Sequence, residues 1–357
     1  MPRIVAADAR FPARYHSQAD VAWKFLRVLG GRGEATPDRI ERLFTNVGVE
    51  GRHMVLDLDA YPELGGFAER SRLWLEHALE LGAGAVSGAL DRAGLQPSDV
   101  SLFVSTTVTG IAVPSLETRL MDRLGFDPSC RRLPLFGLGC VAGASGIARV
   151  AEYLRGRPKD VAILLSVELC SLTFQLKDTS VANIVACALF GDGAACVVLV
   201  GDEHPLASSA AGPDVIDSRA VLFPHSERTM GWDIVDTGFR VVLAGTVPDM
   251  ARGPFTEAVR GFLASHCLEP RHIGSNWIGH PGGPAVIDAI EQALALEPGT
   301  LDASRDGLRR FGNLSSASVL VILSEALARS RETPRSGPGV LFAMGPGFAA
   351  EAVLLRW

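Results

Sequence analysis

A thiol, an imidazole and a carboxamide stand in three glycine-rich settings along this chain of 357 residues. Cys140 lies in Phe136-Gly137-Leu138-Gly139-Cys140-Val141-Ala142-Gly143, His280 in Gly279-His280-Pro281-Gly282-Gly283-Pro284, and Asn313 in Phe311-Gly312-Asn313-Leu314-Ser315-Ser316. Sulfur can accept an acyl group, while imidazole and amide donors can stabilise the charge that develops as that group reacts. The set points to acyl-transfer chemistry.

Each of the three also has an ordinary structural role. A cysteine is most often a packed core thiol, and an asparagine ahead of a helix often caps it. Their settings favour chemistry. Gly139 makes a turn before Cys140 and small residues follow to Val150, which reads as a helix start whose dipole favours thiolate. His280 falls at a strand-to-helix turn, between Trp277-Ile278-Gly279 and a helix beginning near Ala285, where side chains can point into a cleft. His16, His53, His77, His204, His225, His266 and His272 lack such a setting and read as surface or boundary residues. Asn313 precedes an evident helix start at Ser315-Ser316. Beside the other two groups, its amide reads as a donor to an oxyanion or enolate.

Positioning these groups requires a large framework, and 47% hydrophobic residues supply one. Strand-like runs at Ile4 to Ala7, Val100 to Ser105, Val161 to Val167, Ala194 to Gly201, Asn276 to Ile278, Val340 to Met344 and Ala350 to Leu355 alternate with helical periodicity. The helical segments are Trp74 to Ala93, Ile147 to Leu154, Phe255 to Cys267 and Val286 to Leu296. This is an α/β pattern, roughly duplicated, with residues 1–210 carrying the cysteine and 211–357 carrying the histidine and asparagine. A site where the halves meet would unite groups 140 and 33 residues apart.

Composition excludes several classes. A net charge of −6 with no dense Lys/Arg run argues against a nucleic-acid surface. No apolar stretch is long enough for a membrane span, and Arg3, Asp8 and Arg10 interrupt what a secretory signal would need, so a cytoplasmic enzyme is expected. The six cysteines show no C-x-x-C pair; no metal site or disulfide is expected, and all but Cys140 read as reduced core thiols.

Together with Leu189-Phe190-Gly191-Asp192-Gly193-Ala194-Ala195, Asp236-Thr237-Gly238-Phe239 and Met344-Gly345-Pro346-Gly347, these motifs resemble those of type III polyketide synthases, the chalcone and stilbene synthase-like enzymes, over essentially the whole chain. The resemblance implies a thiolase fold, five-layered α/β/α/β/α from two duplicated halves, usually a homodimer. It implies that Cys140 carries the starter acyl group and the growing polyketide. His280 would pair with the thiolate and donate to the thioester carbonyl. Asn313, with His280, would stabilise the enolate left when malonyl-CoA loses carbon dioxide. No cofactor is implied beyond the acyl-CoA and malonyl-CoA substrates.

The resemblance also places pocket residues. Phe190 and Phe239 match the gatekeeping phenylalanines between CoA tunnel and cavity. Thr109, Cys170, Thr173, Ala186, Met230, Ser315 and Met344 fall at substrate-binding positions. Several depart from the plant pattern: Thr107-Val108-Thr109 replaces Thr-Thr-Ser, Cys170 replaces a threonine as in bacterial members, and Ala186 and Met230 replace glycines. The implied product is not a plant chalcone. A fatty acyl starter giving an alkylpyrone or alkylresorcinol stands first, and malonyl-only condensation to an aromatic second. Arg42 and Arg52 are expected to meet CoA phosphates, with Gly282, Gly283 and Ala285 along the pantetheine arm. A ketosynthase III-like enzyme using acyl-carrier protein shares the Cys-His-Asn set and stays open as an alternative. A papain-like peptidase lacks its Cys-Gly-Ser-Cys-Trp signature here, and an inactive acyl-CoA-binding paralogue sits poorly with three intact reactive groups.

Overall fold

The computed structural model describes residues 1–33 and 35–357. Its strands up to residue 200 are β1 (Arg3–Arg10), β2 (Tyr15–Ser17), β3 (Gly51–His53), β4 (Val100–Thr107), β5 (Arg131–Phe136), β6 (Val161–Leu169) and β7 (Asp192–Val200). Those beyond residue 213 are β8 (Asp214–Leu222), β9 (Met230–Val235), β10 (Gly238–Leu243), β11 (Trp277–Gly279), β12 (Pro338–Gly345) and β13 (Ala349–Arg356). Nine of them share one sheet in the order β11-β12-β13-β8-β1-β7-β6-β4-β5.

That order contains the same pattern twice. β4 is parallel to β6, which is antiparallel to β7, which is antiparallel to β1. β11 is parallel to β12, which is antiparallel to β13, which is antiparallel to β8. The two runs join where Arg3 pairs with Asp214, a contact reinforced by a 2.8 Å ion pair.

Two helices, Ala142–Arg155 and Ser316–Glu332, lie between the runs. Ala144, Ile147, Val319 and Leu320 bury in one cluster with Leu164 and Val197 of the first run and Leu341 and Val353 of the second. β6 and β7 are covered on both faces and wholly buried, which is why they read as near-continuous apolar runs, broken by Ser166 and Glu168 in β6 and Asp192 in β7. The long helix Phe67–Ala93 covers β1, β6 and β7 from outside. On the opposite outer face Phe255 and Phe262 bury with Trp277 and Phe342. The result is the α/β/α/β/α layering that the resemblance implies.

The periodicity locates the buried strands to within two or three residues. It does not reveal β5, β8 or the β9–β10 hairpin, because those strands carry a proline or alternate with charged residues and stay half exposed. The helix predicted over Phe255 to Cys267 forms from Thr256–Ala264, preceded by a wide π turn at Ala251–Phe255 that contains Pro254. Among the described residues no helix is long and apolar enough to cross a membrane.

Candidate active site

The two central helices aim their first turns at one cavity. Cys140 occupies a 3-10 turn, Gly139–Val141, that feeds the helix Ala142–Arg155. Asn313 stands three residues before the helix Ser316–Glu332. His280 follows β11, and its backbone N–H donates to the Phe342 carbonyl of β12 at 2.9 Å. The helices cross at Gly143, where a Cβ would lie 2.4 Å from the Ser316 carbonyl oxygen. Only glycine permits that approach, so the small-residue run after Cys140 sets the spacing of the site.

Cys140, His280 and Asn313 line a cavity of about 660 Å³ together with Phe190, Met230, Ser315, Met344 and Gly282. The Asn313 carboxamide oxygen accepts the Ser315 N–H at 2.8 Å, which fixes the opposite end of the amide as a donor. Ser315 holds a left-handed φ of 48°, a strain of about 1–3 kcal/mol, and its hydroxyl accepts the Cys140 thiol at 3.4 Å.

Loss of solvent governs the charges. Burial pushes the Cys140 thiol up to about 12, and the buried carboxylate of Glu168 acts in the same direction. Burial pushes the His280 imidazole down to about 4. Its Nδ1 is buried with no hydrogen-bond partner among the described residues, so no carboxylate props up an imidazolium. Taken singly, both groups are neutral near pH 7. The thiolate favoured by the helix start is outweighed by desolvation, and an ion pair arises here only by moving a proton from sulfur to ring.

Glu168, buried behind the cavity wall, is a residue the sequence motifs missed. Its Oε2 accepts from the Thr107 hydroxyl at 3.2 Å, the Val108 N–H at 3.1 Å and the Thr109 hydroxyl at 2.9 Å, and its Oε1 from Ser316. The available signal was a lone carboxylate inside the buried run of β6. Trp232 and Val241 to Leu243 of the hairpin, also missed, form a wall of the cavity.

Other expected residues separate. Phe239 lines a neighbouring cavity of about 770 Å³ that shares Met230 and Trp232 with the first. Thr109, Cys170, Thr173 and Ala186 line neither cavity. They are buried behind the walls, where the Thr109 hydroxyl is taken by Glu168 and that of Thr173 donates to the Cys170 carbonyl at 2.7 Å. Gly283 is buried at the start of the helix Pro284–Leu294, and Ala285 is exposed outside the cavity.

The two arginines divide sharply. Arg42 is exposed on the helix Pro37–Asn46. Arg52 is fully buried and donates to the carbonyls of Cys187, Ala188 and Phe190, so it cannot meet a phosphate, contrary to expectation.

Residues 2–203 match the family model for the N-terminal domain of chalcone and stilbene synthases, and residues 215–357 match that for the C-terminal domain. The chain is 46% identical to a 1,3,6,8-tetrahydroxynaphthalene synthase of Streptomyces peucetius subsp. caesius, over 99% of this chain and 93% of that protein. It is 34% identical to a putative chalcone synthase of Bacillus subtilis (strain 168), over 100% and 99%. The crystal structure of 1,3,6,8-tetrahydroxynaphthalene synthase from Streptomyces coelicolor A3(2), a bacterial type III polyketide synthase, superposes with a TM-score of 0.93 at 27% identity, covering 99% of each chain.

Proposed function

Because the chain belongs to the chalcone and stilbene synthase family and is a type III polyketide synthase, we propose that it builds a polyhydroxylated aromatic from malonyl-CoA alone. This reverses the order set by sequence, where a fatty acyl starter stands first. The observation that carries it is the product in the name of the 46% identical relative, a naphthalene with oxygen on alternating carbons of each ring and no alkyl tail. That pattern is what head-to-tail joining of two-carbon units leaves. The crowding of the cavity by Met230 and Trp232 supports it, since both stand where a long tail would pass toward Phe239.

In this reading the Cys140 sulfur attacks the thioester carbonyl of a CoA substrate as its proton moves to His280, and the CoA thiol leaves with that proton. A second malonyl-CoA loses carbon dioxide, and its enolate oxygen is held by the Asn313 amide and the His280 N–H. The enolate carbon attacks the Cys140 thioester; a carbon–carbon bond forms, the carbon–sulfur bond breaks, and the lengthened chain leaves on CoA to reload. Neutral donors suit the enolate because they stabilise it without protonating carbon.

Arg42 meets the CoA phosphates, and the halves divide at residues 210 and 211, between β7 and β8. The enzyme is a homodimer. Leu133 and Phe136 of the edge strand β5 are exposed, as are Ile111 and Val113 just after its neighbour β4.

Incubation of the purified enzyme with malonyl-CoA as sole substrate tests the main reading, by product mass with labelled and unlabelled malonyl carbons. An aromatic product whose carbons all carry label is expected. Absence of product until an acyl-CoA starter is added would overturn it, and a strict need for acyl-carrier protein would favour the ketosynthase alternative.

A further inference from the structure

The geometry points to Arg52 as the residue that positions Asn313, acting through the end of the helix Val181–Leu189. This rests on the role given to Asn313 above.

Arg52 lies in the short strand β3, and its side chain enters the core with no solvent exposure. Nη1 donates to the Cys187 carbonyl at 2.9 Å and to that of Phe190 at 3.0 Å, and Nη2 donates to the Ala188 carbonyl at 2.6 Å. The acceptors are two of the final carbonyls of that helix, those of Cys187 and Ala188, and that of its capping residue Phe190; these have no partner within the helix and lie at the negative end of its dipole. Gln18 completes the cradle. Its Oε1 accepts from Nη2, and its Nε2 donates to the Ala188 carbonyl at 3.1 Å.

The next residues reach the catalytic amide. The Asn313 N–H donates to the Leu189 carbonyl at 2.8 Å, and the Gly191 N–H donates to the Asn313 carbonyl at 3.0 Å, so residues 189–191 grip the Asn313 backbone from both sides. Phe190 and Asn313 form an isolated parallel bridge. Gly312, at φ 71°, allows the approach: a Cβ there would lie 2.7 Å from the Leu189 carbonyl oxygen. One guanidinium therefore fixes the strip that carries Phe190 into the cavity and holds Asn313 in place. Its planar fork serves several diverging carbonyls at once, which a lysine ammonium on its flexible stem does less well.

The test measures carbon dioxide release from malonyl-CoA, with kcat and KM separated, in Arg52→Met and Arg52→Lys, each with Asn313 intact and with Asn313→Ala. With Asn313 intact, kcat is expected to fall about tenfold to a hundredfold in the Met variant and less in the Lys variant, with KM nearly unchanged, as for a catalytic group displaced by a fraction of an ångström. In the Asn313→Ala background either Arg52 change should add little further loss, because both act on the same group. Acyl loading of Cys140, read by intact mass, should persist. If Arg52→Met does not fold, Gln18→Ala should lower kcat in the same direction by less.

Losses that multiply fully in both backgrounds would overturn the proposal, as would a raised KM at constant kcat or an unchanged kcat in folded protein. Normal decarboxylation by Asn313→Ala alone would instead remove the reading on which the proposal rests.

Discussion

At the scale of single residues, the proposed mechanism runs on neutral donors held out of water. The amide of Asn313 is oriented by the Ser315 N–H, so Asn313→Asp puts a carboxylate where the proposed mechanism forms the enolate. Decarboxylation should fall by at least about a hundredfold, the cost typical of a lost oxyanion donor, while CoA affinity measured by calorimetry holds. Cys140→Ala should show no acyl adduct by intact mass after incubation with acyl-CoA. His280 adds a pH signature. Its imidazole sits at about 4 in the folded state against an ordinary 6.5, so between those values the unfolded chain binds a proton that the folded chain refuses. Stability should therefore drop by up to about 3 kcal/mol as pH falls from 6.5 to 4. Asp192 works the other way, since burial raises it from 3.8 to about 6 and its protonation favours the fold as pH falls through that range. Urea titrations of the wild type and His280→Gln isolate the histidine: the variant should lose less stability on acidification. Cys140, His280 and Asn313 were legible because their glycine-rich settings are local. Arg52 was not, because its carbonyl partners lie some 135 residues along the chain, and an arginine that reaches phosphate looks the same in sequence as one that caps a buried helix. Thr109 was misplaced for a related reason: position implies a pocket wall, but the hydroxyl is consumed by Glu168.

At the scale of elements, the contact between the two central helices decides whether the thiol and the amide share a cavity. Gly143→Ala pushes a methyl group against the Ser316 carbonyl, which can retreat only by moving the start of the asparagine helix. A loss of about 1–3 kcal/mol is expected in urea melts, with activity falling further than stability alone accounts for. The β9–β10 hairpin is the other deciding element. Met230 belongs to both cavities, so Met230→Gly should join them and lengthen the main product by one or more two-carbon units, read by product mass; an unchanged product would show that chain length is set elsewhere. The hairpin was illegible in sequence because its strands are short and mix Asp233 and Arg240 with half-buried apolar residues, whereas β6 and β7 announced themselves as long, nearly continuous apolar runs.

At the scale of the whole molecule, the exposed apolar residues along β5 and after β4 set an expectation for assembly. Sedimentation should give a dimer, and Leu133→Lys together with Phe136→Lys should shift it toward monomer. The doubled strand pattern also bears on how the chain reaches its native state. The two central helices bury apolar side chains from both strand runs in a single cluster, so neither run can be covered without the other. A ribosome releasing the first half exposes Leu164 and Val197 with the matching surface from Leu341 and Val353 still unmade. Packing of the first run must wait until Leu341 and Val353 have been made, and until then its apolar face stays uncovered. Residues 1–210 made alone should aggregate, and co-expression with 211–357 should return both pieces to solution.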